Sequence, residues 1–183
     1  MARISARTTR IVRARPASEE AFRDAMGRFV SGVTVITTVD HKTPFGTTAS
    51  AIASVSLTPP MLLICMNRSS ATGEAIARSG HFAVNILDES QSELARHFAS
   101  KGGDKFSGVE LTYSQYGEPL LLEALAVLEC RVVNETRGGT HSVFLAEVEC
   151  VRARPGAPLV YFRGKFGRIH FGQDETGPCG LVS

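Results

Sequence analysis

Residues 43–67, TPFGTTASAIASVSLTPPMLLICMN, form a run of 25 residues without Asp, Glu, Lys or Arg. Within it, residues 47–57 alternate: the odd positions after Thr47 are small or branched apolar side chains, and every even position except Ile52 carries a hydroxyl. Because successive side chains of a strand point to opposite faces, this pattern predicts one strand over 47–57 with a hydroxyl face. The absence of charge predicts that a ligand or another subunit covers that face. The alternative is a half-exposed strand whose hydroxyls meet water.

The segment before this run predicts a helix. Ser18 is a good N-cap, and Glu19 and Glu20 suit the positive end of the helix. The helix is predicted to end at Gly32, with its apolar residues at helical spacing on one face: Phe22, Met26, Phe29 and Val30.

Short apolar segments separated by turn residues predict that the rest of the domain is mainly β. Two short helices are expected, at 72–79 and 90–99, and a glycine-bearing turn at 137–140 predicts a hairpin. Many short strands without a βαβ rhythm favour a closed or nearly closed antiparallel barrel as a single domain. Besides 47–57, the predicted strands are 33–39, 61–66, 82–87, 125–133, 142–151 and 159–166.

The charge of the 183-residue chain, net +2, is unevenly distributed. Residues 1–17 hold five arginines and no acid, which leaves 15 basic against 18 acidic residues in the rest. We therefore expect a flexible basic arm over 1–17, one domain over 18–172 and a flexible tail over 173–183. A transit peptide or a nucleic-acid contact are the alternatives for the arm.

Several classes of protein are disfavoured by what the sequence lacks. Its apolar runs are too short to cross a membrane, and its four cysteines form no metal-binding or disulfide pattern. We expect a cytoplasmic protein without metal. Neither a dinucleotide-binding glycine fingerprint, nor a P-loop, nor a nucleophile elbow is present.

Residues 68–73, Arg-Ser-Ser-Ala-Thr-Gly, lead from a buried strand into a helix. Backbone N–H groups, three hydroxyls and one arginine at a helix start are typical of a phosphate site. Ordinary N-capping by Ser70 or Thr72 is the alternative. Together with the hydroxyl face, this segment favours a flat, phosphorylated ligand.

At these residues the sequence resembles the short-chain flavin reductases, the reductase components of two-component flavin-dependent monooxygenases. The resemblance covers roughly residues 20–170 and implies an FMN-binding split β-barrel, which is a Greek-key antiparallel barrel, assembled as a homodimer. The similar segments, in order, are 22–29, 32–38, 48–50, 54–60, 67–72, 82–87, 98, 105–106 and 141–144.

The resemblance also implies the binding residues. Thr48, Ala49 and Ser50 would hold the ribityl and phosphate side of the flavin. Ser54, Val55 and Ser56 would face its ring system, and the phosphate or pyrophosphate would bind the hydroxyls and amide of Asn67, Ser69, Ser70 and Thr72. Lys105 and Phe106 would lie near its distal end, with a solvated lysine and a core anchor as the alternatives.

His141 is the one catalytic residue that the resemblance implies, beside the nicotinamide. The alternation of residues 141–150 supports a position at the mouth of a cleft, although a lone histidine often has a structural role. Many relatives carry Gly-Asp-His at this turn where this chain has Gly139-Thr140-His141, so no role of that Asp carries over. Tyr161, Arg163 and Phe166 would lie on the nicotinamide side.

The function implied is an NAD(P)H:flavin oxidoreductase that reduces FMN or FAD with NADH or NADPH and supplies reduced flavin to a partner monooxygenase. One alternative is a split-barrel flavoprotein with tightly bound flavin, acting as an electron carrier or as a pyridoxamine-phosphate-oxidase-like oxidase. A nucleic-acid-binding module is disfavoured because the body is acidic and lacks a basic stripe interleaved with aromatics.

Overall fold

The computed structural model describes residues 16–170, which contain three helices and twelve strands. This confirms the prediction of a mainly β protein with few short helices. The predicted arm 1–17, except residues 16 and 17, and the predicted tail 173–183 lie outside the described residues. The helices are α1 (Glu19–Gly27), α2 (Ala71–Ser79) and α3 (Ser92–Ala99). No helix within 16–170 is long and apolar enough to cross a membrane.

All strand pairings are antiparallel. The strands are β1 (Ser31–Gly32), β2 (Thr34–Asp40), β3 (Thr43–Ala49), β4 (Ile52–Leu57), β5 (Pro60–Asn67), β6 (His81–Ile86), β7 (Leu111–Tyr113), β8 (Pro119–Leu121), β9 (Ala126–Gly138), β10 (His141–Ala153), β11 (Val160–Phe162) and β12 (Lys165–Gly167). Seven of them form one sheet in the order β3-β2-β6-β9-β10-β5-β4, β1-β11-β12 form a second, and β7-β8 form a third.

The two edge strands of the large sheet approach each other at one point. Its edge strands are β3 and β4, and only Ser50 and Ala51 separate them in the chain. Because consecutive Cα atoms lie about 3.8 Å apart, the two edges come within roughly 11 Å of each other at this point. The Ala49 carbonyl accepts a hydrogen bond from Thr34, whereas the Ala51 carbonyl accepts one from the Cys65 N–H.

Two predicted strands are therefore wrong as single strands. Residues 47–57 divide at Ser50 because β3 pairs with β2 while β4 pairs with β5. Residues 159–166 divide into β11 and β12 at a two-residue turn, Arg163-Gly164, in which both residues have positive φ, 47° and 81°. This is the conformation that fits the twist of a tight hairpin.

The sheet is covered on both faces by two apolar clusters. The side chains of β6 alternate between them, with Phe82 and Val84 in one cluster and Ala83 in the other. Buried Asn85 joins three elements: its amide donates to Val35 O at 3.0 Å and its Oδ1 accepts from the Leu121 N–H at 2.8 Å. A buried amide is well tolerated when it is hydrogen-bonded in this way.

Helix α1 begins at Ser18, as predicted, but ends at Gly27 rather than Gly32 because residues 31 and 32 pair with β11. Its side chains are not buried within this chain. The apolar face that the sequence predicts is solvent-exposed, from about half to almost three quarters of each side chain: Phe22 63%, Met26 52%, Phe29 72% and Val30 51%. This surface, which we call the α1 patch, lacks a partner within the described residues.

The alternation of residues 141–150 is regular over Ser142, Phe144 and Ala146, which are all buried. It does not continue to Cys150, which is exposed. The reason is an irregularity in the β9–β10 pairing between Val148 and Cys150, which interrupts the two-residue alternation.

Candidate functional site

A groove opens beside the link between the two edge strands of the large sheet, β3 and β4. Its first part is an open cleft of about 710 Å³, a size typical of small-molecule sites. Its lining includes all three residues predicted to hold the flavin: Thr48, Ala49 and Ser50. The lining also includes Tyr161 and Phe166, whose ring centroids are 5.5 Å apart.

The second part of the groove contains His141. It runs between α1 and the segment Ser50–Ile52, with Thr140 and His141 along it. Both parts share Ser50, Tyr161 and Gly164. The predicted flavin residues and the predicted catalytic histidine thus line two neighbouring clefts with shared residues, which together we call the groove.

The position of His141 is fixed by the start of β10. It lies opposite Asn67 in the pairing with β5 and is half-buried. The hydroxyl of Thr140 is 3.0 Å from its Nδ1. The Thr140 hydroxyl therefore contacts the imidazole without adding charge.

The segment 67–72 has fewer free donors than the sequence predicts. The carbonyl Oδ1 of Asn67 accepts from both the N–H (2.9 Å) and the hydroxyl (2.8 Å) of Ser69, and Asn67 O accepts from the Ser70 N–H. Ser70 caps α2 through the Gly73 N–H at 3.4 Å. The side chain of Thr72 is buried, with 4% exposed. Exposed Arg68 has no carboxylate partner among residues 16–170.

Ser54, Val55 and Ser56 are not brought into the groove. They lie on the edge strand β4, where half of Val55 is exposed, 49%, and the Ser56 hydroxyl accepts from the Thr58 N–H at 3.1 Å. The pairing of β4 with β5 shifts between Ser54 and Ser56. Within one chain, these residues therefore form a separate, uncharged surface.

Lys105 and Phe106 fasten α3 to β3 rather than line the groove. The Lys105 ammonium donates to the carbonyls of Gly46 (3.2 Å) and Phe98 (2.9 Å), and its partial burial lowers its pKa. Phe106 packs edge-on against buried Phe98, with ring centroids 5.4 Å apart. The contacts of Phe106 are those of a core anchor, which was the alternative for this residue. The alternative of a freely solvated lysine does not describe Lys105, because two carbonyls accept hydrogen bonds from its ammonium.

Arg163 is held by α1. Its guanidinium is 3.0 Å from the Asp24 carboxylate, and the backbone N–H of Arg163 donates to the Gly27 carbonyl. Asp24 also pairs with Arg28, and the hydrogen bond from Arg28 is the main reason that its pKa lies below its usual value. Arg163 thus attaches α1 to the turn between β11 and β12 and forms part of the groove wall.

Two cations in the groove are missing from the predicted site, Arg96 on α3 and Lys165 on β12. Arg96 lies over the ring of Phe166, with its guanidinium carbon 5.2 Å from the ring centroid. The two residues are far apart in the sequence and form no motif. They line the same cleft because the hairpin of β11 and β12 lies beside α3. No sequence signal could have found the pair.

The lining fits a flat, phosphorylated cofactor. Ala49 and Ser50 are small enough for a ring to approach the backbone, Tyr161 and Phe166 offer aromatic surface, and Arg96 supplies positive charge. No cluster of three or more His, Cys, Asp or Glu in the described part of the chain could hold a metal ion.

Comparison with known proteins agrees with this chemistry. The family described as "Flavin reductase like domain" matches residues 26–170. The reductase component of the 4-nitrophenol 4-monooxygenase/4-nitrocatechol 2-monooxygenase of Rhodococcus opacus is 47% identical over 156 residues, which are 85% of this chain and 83% of that protein.

Solved structures show the same fold. The nitrilotriacetate monooxygenase component B of Mycobacterium thermoresistibile superimposes with a TM-score of 0.83 at 34% identity, covering 90% of this chain and 92% of that one. The NADH:FAD oxidoreductase of Streptomyces globisporus, solved with NAD and FAD fragments, has a TM-score of 0.81 at 33% identity, covering 90% and 99%. The prediction of a flavin reductase is confirmed: this chain belongs to the flavin reductase-like family.

Proposed function

We propose that this flavin reductase transfers hydride from NADH or NADPH to FMN or FAD. One observation carries the proposal: the predicted flavin residues Thr48–Ser50 and the predicted catalytic His141 line two parts of one groove that share Ser50. When both nucleotides are bound, the nicotinamide C4 supplies the hydride and flavin N5 accepts it. The residues of the chain bind, orient and shield the two rings.

Each wall of the groove has its own role. Ala49 and Ser50 support the flavin, while His141, oriented by Thr140 at 3.0 Å, positions the nicotinamide. Tyr161 stands on the wall shared by both parts and limits the access of water. Holding two reactants in line supplies much of the rate gain in such reactions, so the groove needs no acid, base or nucleophile.

Reduced flavin leaves for a separate monooxygenase. The open shape of the groove supports release, and the Rhodococcus relative is named as a reductase component of a monooxygenase. Flavin therefore behaves partly as a substrate, and the affinity of the protein for flavin is moderate. The free cysteines Cys65, Cys130 and Cys150 support a reducing, cytoplasmic setting.

The domain is a split β-barrel that assembles as a homodimer. Two exposed apolar surfaces support the dimer: the α1 patch and the uncharged edge strand β4, where Leu57 is 83% exposed. Contiguous apolar surface of this kind marks interfaces in water-exposed proteins. In the dimer, Ser54, Val55 and Ser56 approach a flavin near the interface, which gives these residues a role they lack within one chain.

The test mixes the purified protein with each of the four pairs of NADH or NADPH and FMN or FAD, and follows absorbance at 340 nm. Flavin-dependent oxidation of at least one donor is expected. No oxidation with any pair would overturn the proposal. Yellow colour that survives dialysis, without turnover, would instead support the alternative of a tightly bound flavin.

A further inference from the structure

The charges along the groove are unequally distributed. The first part is lined by the cations Arg96 and Lys165 and by no Asp or Glu. The second part is lined by three acids of α1, Glu19, Glu20 and Asp24, along with Arg23 and Arg163, and Arg163 is neutralised by Asp24. An anionic group is therefore favoured at the first part and disfavoured at the second.

Arg96 is oriented but available. The guanidinium of Arg96 lies over the face of Phe166, which holds its plane and leaves its edge to bind oxygen atoms; one N–H on that edge donates to Glu93. Its carboxylate partner is Glu93, three residues before it on the same helix and 87% exposed. Exposed pairs at this spacing contribute little energy, so a ligand phosphate can replace Glu93.

Lys165 complements Arg96. It begins β12 directly before Phe166, and it lies opposite Phe162 across the tight turn at Arg163-Gly164. It is exposed, and no carboxylate within residues 16–170 pairs with it. A planar guanidinium and a flexible ammonium that line the same cleft suit two linked phosphates better than one.

We propose that Arg96 and Lys165 bind the pyrophosphate of a dinucleotide in the groove. The inference rests on the proposed function and adds the residues that distinguish a dinucleotide from a mononucleotide. Two ligands share this chemistry, FAD and the nicotinamide donor. FMN has no pyrophosphate. The resemblance assigns the flavin phosphate, and for FAD the pyrophosphate, to the segment 67–72. Binding of the FAD pyrophosphate by Arg96 and Lys165 would replace that assignment, whereas binding of the donor's pyrophosphate would leave it unchanged.

Binding titrations test the proposal without relying on turnover. Arg96→Gln and Lys165→Gln are titrated with ADP-ribose, which carries the donor's pyrophosphate without nicotinamide, and with FAD and FMN. We expect the affinity for ADP-ribose or for FAD to fall about tenfold in both variants, as for the loss of one charged hydrogen bond, with FMN affinity unchanged. The ligand whose affinity falls identifies the dinucleotide that Arg96 and Lys165 bind: ADP-ribose for the nicotinamide donor, and FAD for the flavin.

The matched controls are Arg152→Gln and Lys101→Gln, exposed cations that line neither part of the groove. Their affinities should equal the wild type, and thermal unfolding verifies the fold of every variant. Unchanged ADP-ribose and FAD binding in Arg96→Gln, or an equal loss for FMN and FAD, overturns the inference. If the wild type binds these ligands but oxidises no NAD(P)H, the proposed function is contradicted, while the proposal that Arg96 and Lys165 bind a pyrophosphate is not.

Discussion

His141 lies directly opposite Asn67, where β10 pairs with the last residue of β5. The pairing joins two regions that the sequence treats separately, the segment expected to bind phosphate and the histidine expected beside the nicotinamide. A backbone hydrogen bond from the Arg68 N–H to Thr140 O, 3.0 Å long, continues the pairing beyond the strand. The backbone of β5 and of the residue after it therefore holds both His141 and the preceding Thr140 in place.

Replacing His141 should impair the use of the hydride donor more than the binding of the flavin. We expect His141→Ala to lower the rate of flavin-dependent NADH oxidation on the order of 10- to 100-fold, as for a lost positioning contact, with little change in flavin affinity. Steady-state kinetics and flavin titration measure the two effects. His41→Asn, at an exposed turn with φ of 46°, is the matched control, and an equal effect in both variants would contradict the role.

Arg68 should bind phosphate if the segment 67–72 serves the flavin. Its guanidinium is exposed, so Arg68→Gln removes a charge without leaving a buried partner. We expect the affinity for FMN to fall several-fold, in proportion to one exposed phosphate contact, while riboflavin, which lacks the phosphate, binds unchanged. Fluorescence titration at two salt concentrations provides the measurement. A parallel loss for riboflavin would show that the segment touches another part of the flavin.

The α1 patch should determine the oligomeric state. Met26→Glu places a charge on an apolar surface that the proposed dimer buries, so we expect dissociation to monomers in sedimentation or light-scattering measurements. Leu122→Glu is the control, because Leu122 and Met26 are equally exposed, 52% each, and Leu122 lies outside the patch. A dimer that survives Met26→Glu, or dissociates equally with Leu122→Glu, would contradict the proposed interface.

Gly46 is predicted to tolerate no side chain. A Cβ there would lie 2.7 Å from Cε1 of Phe98 and 3.0 Å from Cζ of Phe106, and Phe98 is fully buried. Overpacking of this kind costs about 1–3 kcal/mol of unfolding free energy, so Gly46→Ala should lower the melting temperature. In Gly138→Ala the nearest contact is an ordinary 3.7 Å, to Val143, and no comparable loss is expected.

Glu118 should make stability depend on pH. Only 3% of the residue is exposed, its carboxylate accepts the Ser114 hydroxyl, and burial raises its pKa. His81, Glu129 and Glu149 are the charged groups that act on it. Because the pKa is higher in the folded state, the contribution of the protonated form is complete below the unfolded value, about pH 4.3, and is lost as pH rises through the folded value.

Glu118→Gln keeps the hydrogen-bond acceptor and removes the titration. The variant should therefore melt at a higher temperature than the wild type at neutral pH, and the difference should shrink towards zero as the pH falls to about 4. Thermal unfolding of both proteins across this range measures the difference, in which the other titrating groups cancel. A difference that is independent of pH would contradict the assignment.

Local patterns succeeded where one element decides its own structure. The cap at Ser18 follows from helix geometry alone, and so does the cap at Ser70, which the sequence offers as the alternative to a phosphate site. The same reasoning failed at Ser50 and at Arg163-Gly164, where alternation continued across a change of partner strand. A period of two does not reveal which strand lies alongside.

The sequence by itself determined the mainly β class, the cap at Ser18, the alternation at the start of β10 and, through its resemblance to a family, the candidates Thr48–Ser50 and His141. Only the tertiary structure decided that these residues share a groove, that Ser54–Ser56 lie apart from it within one chain, and that Arg96 and Lys165 enter it. The reason is that local periodicity depends on neighbouring residues, whereas the groove is lined by residues from elements far apart in the chain, beside the link between the two edge strands at Ser50–Ala51.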